Sequence, residues 1–114
     1  MKWNLWLDDE RDPAVFVTEG KGVFYTYKDL GLKAADFIWC KSVEEAQNKI
    51  KELGVPTFMA LDHDLGGPSG MDFLHWLASS YGEFAPEWVA HSQNYQGVCN
   101  MNSFMESWHK SFGE

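Results

Sequence analysis

Two apolar runs in this chain stop at acid: residues 3–7 end at Asp8 and Asp9, and residues 57–61 end at Asp62. Carboxylates brought within a few ångströms of one another cannot all ionise unaided, so they either share a proton or hold a cation. All-oxygen donors, with no Cys and few His at ligand spacing, suit Mg²⁺ or Mn²⁺ rather than Zn²⁺. Magnesium keeps part of its water shell and favours phosphate oxygens, so such a site points to phosphoryl chemistry. The plainer reading, in which Asp8 and Asp62 cap helices or pair with Arg11, stands on equal terms from spacing alone.

The elements that must position these acids follow from periodicity. Residues 3–7 read as a short buried strand. From Glu10 to Phe37 the pattern is broken by Pro13, Gly20, Gly22 and Gly31, which predicts a long loop rather than a well-formed helix, an unrecognised short helix being the competing reading, with residues 23–27 a candidate extra strand. The aromatics of that stretch, Phe24, Tyr25 and Tyr27, read as a solvent-shielding lid, with stacking on a nucleobase the sharper alternative. Residues 38–40 make a brief strand, after which Ser42 and Glu45 form a capping box, Val43, Ala46, Ile50 and Leu53 share a helical face, and Gly54 ends the helix.

The unbroken apolar run 57–61 suits a central strand covered on both faces. Gly66, Gly67, Pro68 and Gly70 make a turn whose spacing matches no Walker or dinucleotide fingerprint. Phe73, Leu74 and Leu77 place a helix ending near residues 79–82, and residues 88–90 form a strand ending at His91-Ser92-Gln93-Asn94. Met101, Phe104, Met105, Trp108 and Phe112 recur at helical spacing, which predicts a last helix closed by Gly113, its stripe packed in the core. His75 and His109 fall on helices and read as structural.

Strands alternating with helices predict a parallel sheet in a short three-layer α/β sandwich, with ligands bound beyond the carboxyl ends of the strands where strand order reverses. The acids and His91/Ser92 would converge at that edge. A length of 114 residues fits one domain spanning 1–114, and 45% hydrophobic residues with six Trp supply its core. With 17 acidic against 9 basic residues and no Lys/Arg patch, the chain repels phosphate polymers, so a nucleic-acid polymer is not an expected partner. A small phosphorylated molecule remains compatible, because one bound divalent ion reverses the local field. The apolar stretch before Asp8 is too short for a signal-peptide core or a membrane span, and Cys40 and Cys99 lack metal or redox spacing, so the expectation is a cytoplasmic protein with free thiols and no membrane partner.

Three blocks carry a resemblance: Leu7-Asp8-Asp9-Glu10-Arg11, Leu61-Asp62-His63-Asp64-Leu65-Gly66, and His91-Ser92-Gln93-Asn94 with Gly97, Asn100 and Met101 downstream. The acidic pair, and an Asp followed by Leu65 three residues on and Gly70 eight on, are similar to the receiver domains of response regulators. Taken together the blocks resemble the cyclic-phosphate-processing receiver-like family. That resemblance implies a receiver-like, flavodoxin-like sandwich with a central parallel sheet of about four strands, the fifth strand missing. It also implies a divalent-metal-dependent phosphoesterase acting on a cyclic or nucleotide-derived small phosphate. The alternative is a non-catalytic module that binds a phosphorylated ligand or a partner protein.

Carried over position by position, the resemblance implies Asp9 as a direct metal ligand and Asp8 as a ligand through water. Asp62 becomes ligand and phosphoryl acceptor, and the main-chain carbonyl of Asp64 completes the donors. Ser92 corresponds to a strand-end hydroxyl that touches the phosphoryl group. His63 and His91 are groups able to move protons near neutral pH. Asn94 and Ser92 would orient oxygens, and Arg11 would clamp a phosphate, although pairing with Glu10 or Asp12 explains it equally well. The chain departs from signalling receivers in lacking a fifth strand with a Lys-Pro step, which argues against an ordinary phosphorelay output.

Overall fold

Four short strands pair in parallel in the order β2-β1-β3-β4. The computed structural model describes residues 2–19, 31–83 and 85–112. Along the chain come β1 (Asn4–Leu7), α1 (Pro13–Glu19), a 3-10 turn (Ala34–Asp36), β2 (Phe37–Cys40), α2 (Val43–Leu53), β3 (Phe58–Leu61), α3 (Gly70–Tyr81), β4 (Glu87–Ala90) and α4 (Tyr95–Phe112). No fifth strand occurs among the described residues. The extra strand expected at 23–27, its aromatics Phe24, Tyr25 and Tyr27, the glycines at 20 and 22, and Gly113 lie outside the described residues.

Side-chain alternation divides the sheet into two faces. Leu5, Leu7, Met59 and Leu61 point to a core shared with Val43, Ala46 and Ile50 of α2, Phe73, Leu74 and Leu77 of α3, and Met101, Met105 and Trp108 of α4. Trp6, Phe58 and Ala60 point the other way, onto Val17 of α1 and Phe37, with Phe16, Leu32 and Val89 packed around them. Three layers result, three helices on one side of the sheet and α1 on the other. Because β1 and β3 are covered on both faces, their residues are apolar apart from Asn4 at the start of β1, and the acids begin only where the strands leave the core.

Local chemistry explains most of the boundaries. Ser42 accepts a hydrogen bond from the Glu45 N–H at 3.1 Å and Gly54, at φ +88°, ends α2, both as expected. Ser69 and Asp72 cap α3 reciprocally. The structure goes beyond the leading sequence reading at two places. The loop predicted from Glu10 onward contains α1: Pro13 opens it at the first helical position, where a missing N–H costs nothing, and the Asp12 carboxylate accepts from Ala14 N at 2.8 Å. The last helix begins at Tyr95, well before the predicted stripe, because Asn94 caps it by accepting from Gly97 N at 2.9 Å.

His109 is structural, its Nε2 hydrogen-bonded to the Pro86 carbonyl at 2.7 Å beside Trp88, and His75 lies exposed, edge-on to Phe104. Both thiols are free, and burial pushes that of Cys40 up to about 11, helped by the nearby Glu45 charge. Among the described residues no helix is long and apolar enough to cross a membrane. Phe73 is fully buried between the sheet and α3's neighbours. Phe73→Ala should therefore lower the unfolding free energy by about 3–5 kcal/mol in a urea titration.

Candidate functional site

The registers Leu7↔Leu61 and Leu61↔Ala90 bring the next residues of three strands to one level at the carboxyl edge. Asp8 N donates to the Cys40 carbonyl at 3.1 Å, Asp62 N to Leu7 at 2.8 Å, and His91 N to Leu61 at 2.7 Å, so each ladder runs one residue past its strand. Strand order reverses between β1 and β3, where sheets of this kind open a crevice. Asp8, Asp62 and His91 are all buried there.

Asp8 is held by four hydrogen bonds. Its Oδ1 accepts from the Glu10 and Arg11 main-chain N–H groups, both at 2.9 Å, and its Oδ2 lies 3.1 Å from Arg11 Nη1 and 2.9 Å from His91 Nε2. His91 stacks on Trp6, with ring centroids 4.6 Å apart. Two indoles fix the same loop from beneath: Trp39 donates to the Asp8 carbonyl at 2.7 Å and Trp6 to the Arg11 carbonyl at 2.8 Å. Sequence reasoning placed both indoles only in strands. That their polar edges reach a strand end is a matter of register, which a single sequence shows weakly.

On this frame Asp8, Asp9 and Asp62 each offer an oxygen, and the three oxygens lie within 4.8 Å of one another. The donor set consists of hard carboxylate oxygens, so the residues present fit a Mg²⁺-type ion. Gly66 turns over the site at φ +73°, a conformation a side chain disfavours, and a Cβ there would stand 3.7 Å from Asp9 Oδ2. A cavity of about 330 Å³ opens above the acids, lined by Asp9, Glu10, Arg11, Asp62, Asp64, Gly66, Ser92 and Gln93. Larger clefts of about 470 and 530 Å³ lie at the amino end of the strands and carry no comparable cluster among the described residues, so residue chemistry rather than size identifies the site.

The predicted site residues divide by position. Asp9, Arg11, Asp62, Asp64 and Ser92 line the cavity, joined by Glu10 and Gln93, which sequence reasoning did not single out. Asp8 and His91 lie beneath it. His63 and Asn94 lie beside it: His63 Nδ1 is 2.8 Å from Asp64 Oδ1, and Asn94 Nδ2 donates to the same oxygen at 3.2 Å. The His63 ring rests on the first turn of α4, where a Cβ on residue 97 would fall inside it, 2.7 Å from Cδ2. Gly70 is equally constrained, since its Cβ would meet the Asp62 carbonyl and come within 2.8 Å of Met101 Sδ. Gly70, Gly97 and Met101 thus join the end of β3 to the starts of α3 and α4.

The model of the cyclic-phosphate processing receiver domain matches residues 3–107. The chain belongs to this family. Its fold is the flavodoxin-like receiver fold. It is similar to the response regulator TrrA of Thermotoga maritima, solved in complex with Mg²⁺-BeF, at 18% identity and a TM-score of 0.54 over 92% of this chain and 99% of that one. It is also similar to the receiver domain of NtrC4 from Aquifex aeolicus, at 16% identity and a TM-score of 0.56 over 99% and 98%. None of the curated proteins matches this chain. In this cyclic-phosphate processing receiver domain the three sequence blocks meet at one sheet edge, one from each of β1, β3 and β4.

The site sets its two buried acids apart. Burial raises the Asp62 carboxyl above its ordinary value of 3.8 and the neighbouring Asp8 charge raises it further, against the pull of Ser92, Arg11 and His91. Burial would raise Asp8 as well, but the His91 hydrogen bond and the Arg11 and Glu10 N–H groups outweigh it and bring Asp8 below 3.8. A raised folded-state pKa gives stability that is present below the unfolded pKa and lost as pH climbs through the folded one. A lowered pKa gives stability present above the unfolded pKa and lost as pH falls through the folded one. Asp62→Asn should therefore raise the melting temperature at neutral pH, with the gain vanishing as the pH is brought below 3.8. Asp8→Asn should lower it at neutral pH, and that deficit should narrow only below 3.8; thermal unfolding across the acid range measures both.

Proposed function

We propose that this protein is a divalent-metal-dependent phosphoesterase acting on a cyclic or nucleotide-derived small phosphate. The observation that carries the reading is the meeting of Asp8, Asp9 and Asp62 beneath a cavity that also presents Arg11 and Ser92. Mg²⁺ or Mn²⁺ suits the donors. In this reading Asp9 and Asp62 bind the ion, the Asp64 main-chain carbonyl completes the protein donors, and Asp8, whose oxygens already accept four hydrogen bonds, acts through water. A bound divalent ion polarises a phosphoryl oxygen and stabilises charge on phosphorus.

The side chains supply the remaining chemistry. Arg11 and Ser92 hold phosphoryl oxygens by hydrogen bonds. Opening a cyclic ester forms one P–O bond from water and breaks another, so the leaving oxygen must gain a proton. His63 is the better-sited donor: Nδ1 is oriented by Asp64, and among the described residues Nε2 has no partner, which leaves it to exchange a proton. His91 is sealed beneath the cavity with Nε2 on Asp8, so its part is to position that carboxylate. Asn94, engaged through Oδ1 with α4 and through Nδ2 with Asp64, holds the His63 side of the site rather than the substrate.

A panel of cyclic nucleotides and 2′,3′-cyclic phosphates tests the reading. Turnover should require Mg²⁺ or Mn²⁺ and disappear in Asp62→Asn, and His63→Gln should lower kcat by roughly 10²–10⁴-fold. His91→Gln should instead weaken divalent-ion binding and stability. Folded protein that binds these compounds without hydrolysing them would be a non-catalytic receiver-like module, and the phosphoesterase reading would fall.

A further inference from the structure

Arg11 is the only arginine in the chain and, among the described residues, the only basic side chain lining a cavity that carries four acidic ones, Asp9, Glu10, Asp62 and Asp64. Its backbone is fixed at both ends, the N–H on Asp8 Oδ1 at 2.9 Å and the carbonyl on Trp6 Nε1 at 2.8 Å, so the side chain starts from a rigid point of the cavity wall. One guanidinium nitrogen, Nη1, stands 3.1 Å from Asp8 Oδ2 and 3.7 Å from Asp62 Oδ2. The positive charge therefore lies among the very carboxylates that would receive a cation. Only Nη1 is so engaged. Among the described residues Nε and Nη2 donate to no protein acceptor, and the side chain keeps 21% of its surface exposed.

We propose that Arg11 couples the binding of a divalent ion to the capture of a phosphoryl group. The inference rests on the metal-dependent reading above and adds an order of events to it. A cation joining Asp9 and Asp62 competes with Arg11 for the charge of Asp62, because two positive groups cannot both neutralise one carboxylate without repelling each other. The longer contact, to Asp62, is the one that yields, while Asp8 and the backbone bonds keep the arginine at the site. The guanidinium, a planar fork of five donors matched to phosphate oxygens, then faces an anion beside the ion. Arg11 thus opposes the metal alone and favours metal and phosphate together, and linkage makes the effect reciprocal.

Calorimetric titration of the whole chain with MgCl₂ alone, with inorganic phosphate alone, and with phosphate at saturating Mg²⁺ tests this, circular dichroism confirming the fold of each variant. In the wild type, Mg²⁺ should strengthen phosphate binding. Arg11→Gln should bind Mg²⁺ more tightly than the wild type, while the enhancement of phosphate binding by Mg²⁺ drops about tenfold. Arg11→Lys, which keeps the charge and loses the fork, should bind Mg²⁺ like the wild type yet still lose much of the enhancement. An Arg11→Gln protein that binds Mg²⁺ no more tightly, or two variants that keep the full enhancement, would overturn the coupling while leaving the metal site standing. A wild type that binds no Mg²⁺ would overturn both.

Discussion

Mutual repulsion among Asp8, Asp9 and Asp62 is the constraint around which this fold is arranged. Three carboxylates with oxygens within 4.8 Å of one another at the end of a buried sheet would push the strand ends apart unless something fixed them. The chain answers with directional bonds more than with opposite charge. Asp8 is tied down by two main-chain N–H groups, one imidazole and one guanidinium, and its carbonyl is tied by Trp39. The buried frame confines the repulsion to Asp62, whose carboxyl burial and Asp8 keep less acidic than usual. A carboxylate whose charge is disfavoured in this way would gain from a neighbouring cation, so the local instability and the proposed ion site have the same origin.

The same economy governs how the helices reach the site. Glycines at 70 and 97 are placed where a methyl group would collide with the Asp62 carbonyl or the His63 ring. Both stand inside or at the start of helices, positions where glycine is a poor helix former, and the close approach they permit outweighs that local cost. Met101 fills the space left by Gly70, so the site's outer wall is continuous with the main core.

Much of this was legible in the residues. Strands ending in acid, the Ser42 cap, the Gly54 stop and the alternation of strands with helices led to a parallel four-stranded sheet, because each signal is local and periodic. The meeting of Asp8 with Asp62 followed from where ligands sit in such sheets. Helix α1 was hidden by Pro13, which reads as a breaker until its place at the first helical position is known. The start of α4 was hidden by Gly97, whose purpose is a tertiary contact with a residue 34 positions away. The separate situations of His63 and His91 were also out of reach: both follow strands, and only packing makes one the partner of a surface aspartate and the other a buried prop for Asp8.

The Asp8–His91 hydrogen bond spans 83 positions of sequence. Strands β1, β2 and β3 can pair once the chain is available up to Asp62, and that partial sheet already contains every carboxylate of the cluster. It does not contain the imidazole, which arrives only when β4 docks on β3, a late and entropically demanding closure. During synthesis the acids therefore emerge before their prop does. The complete frame around Asp8 therefore needs all four strands, so the geometry of this edge reports that the sheet is whole.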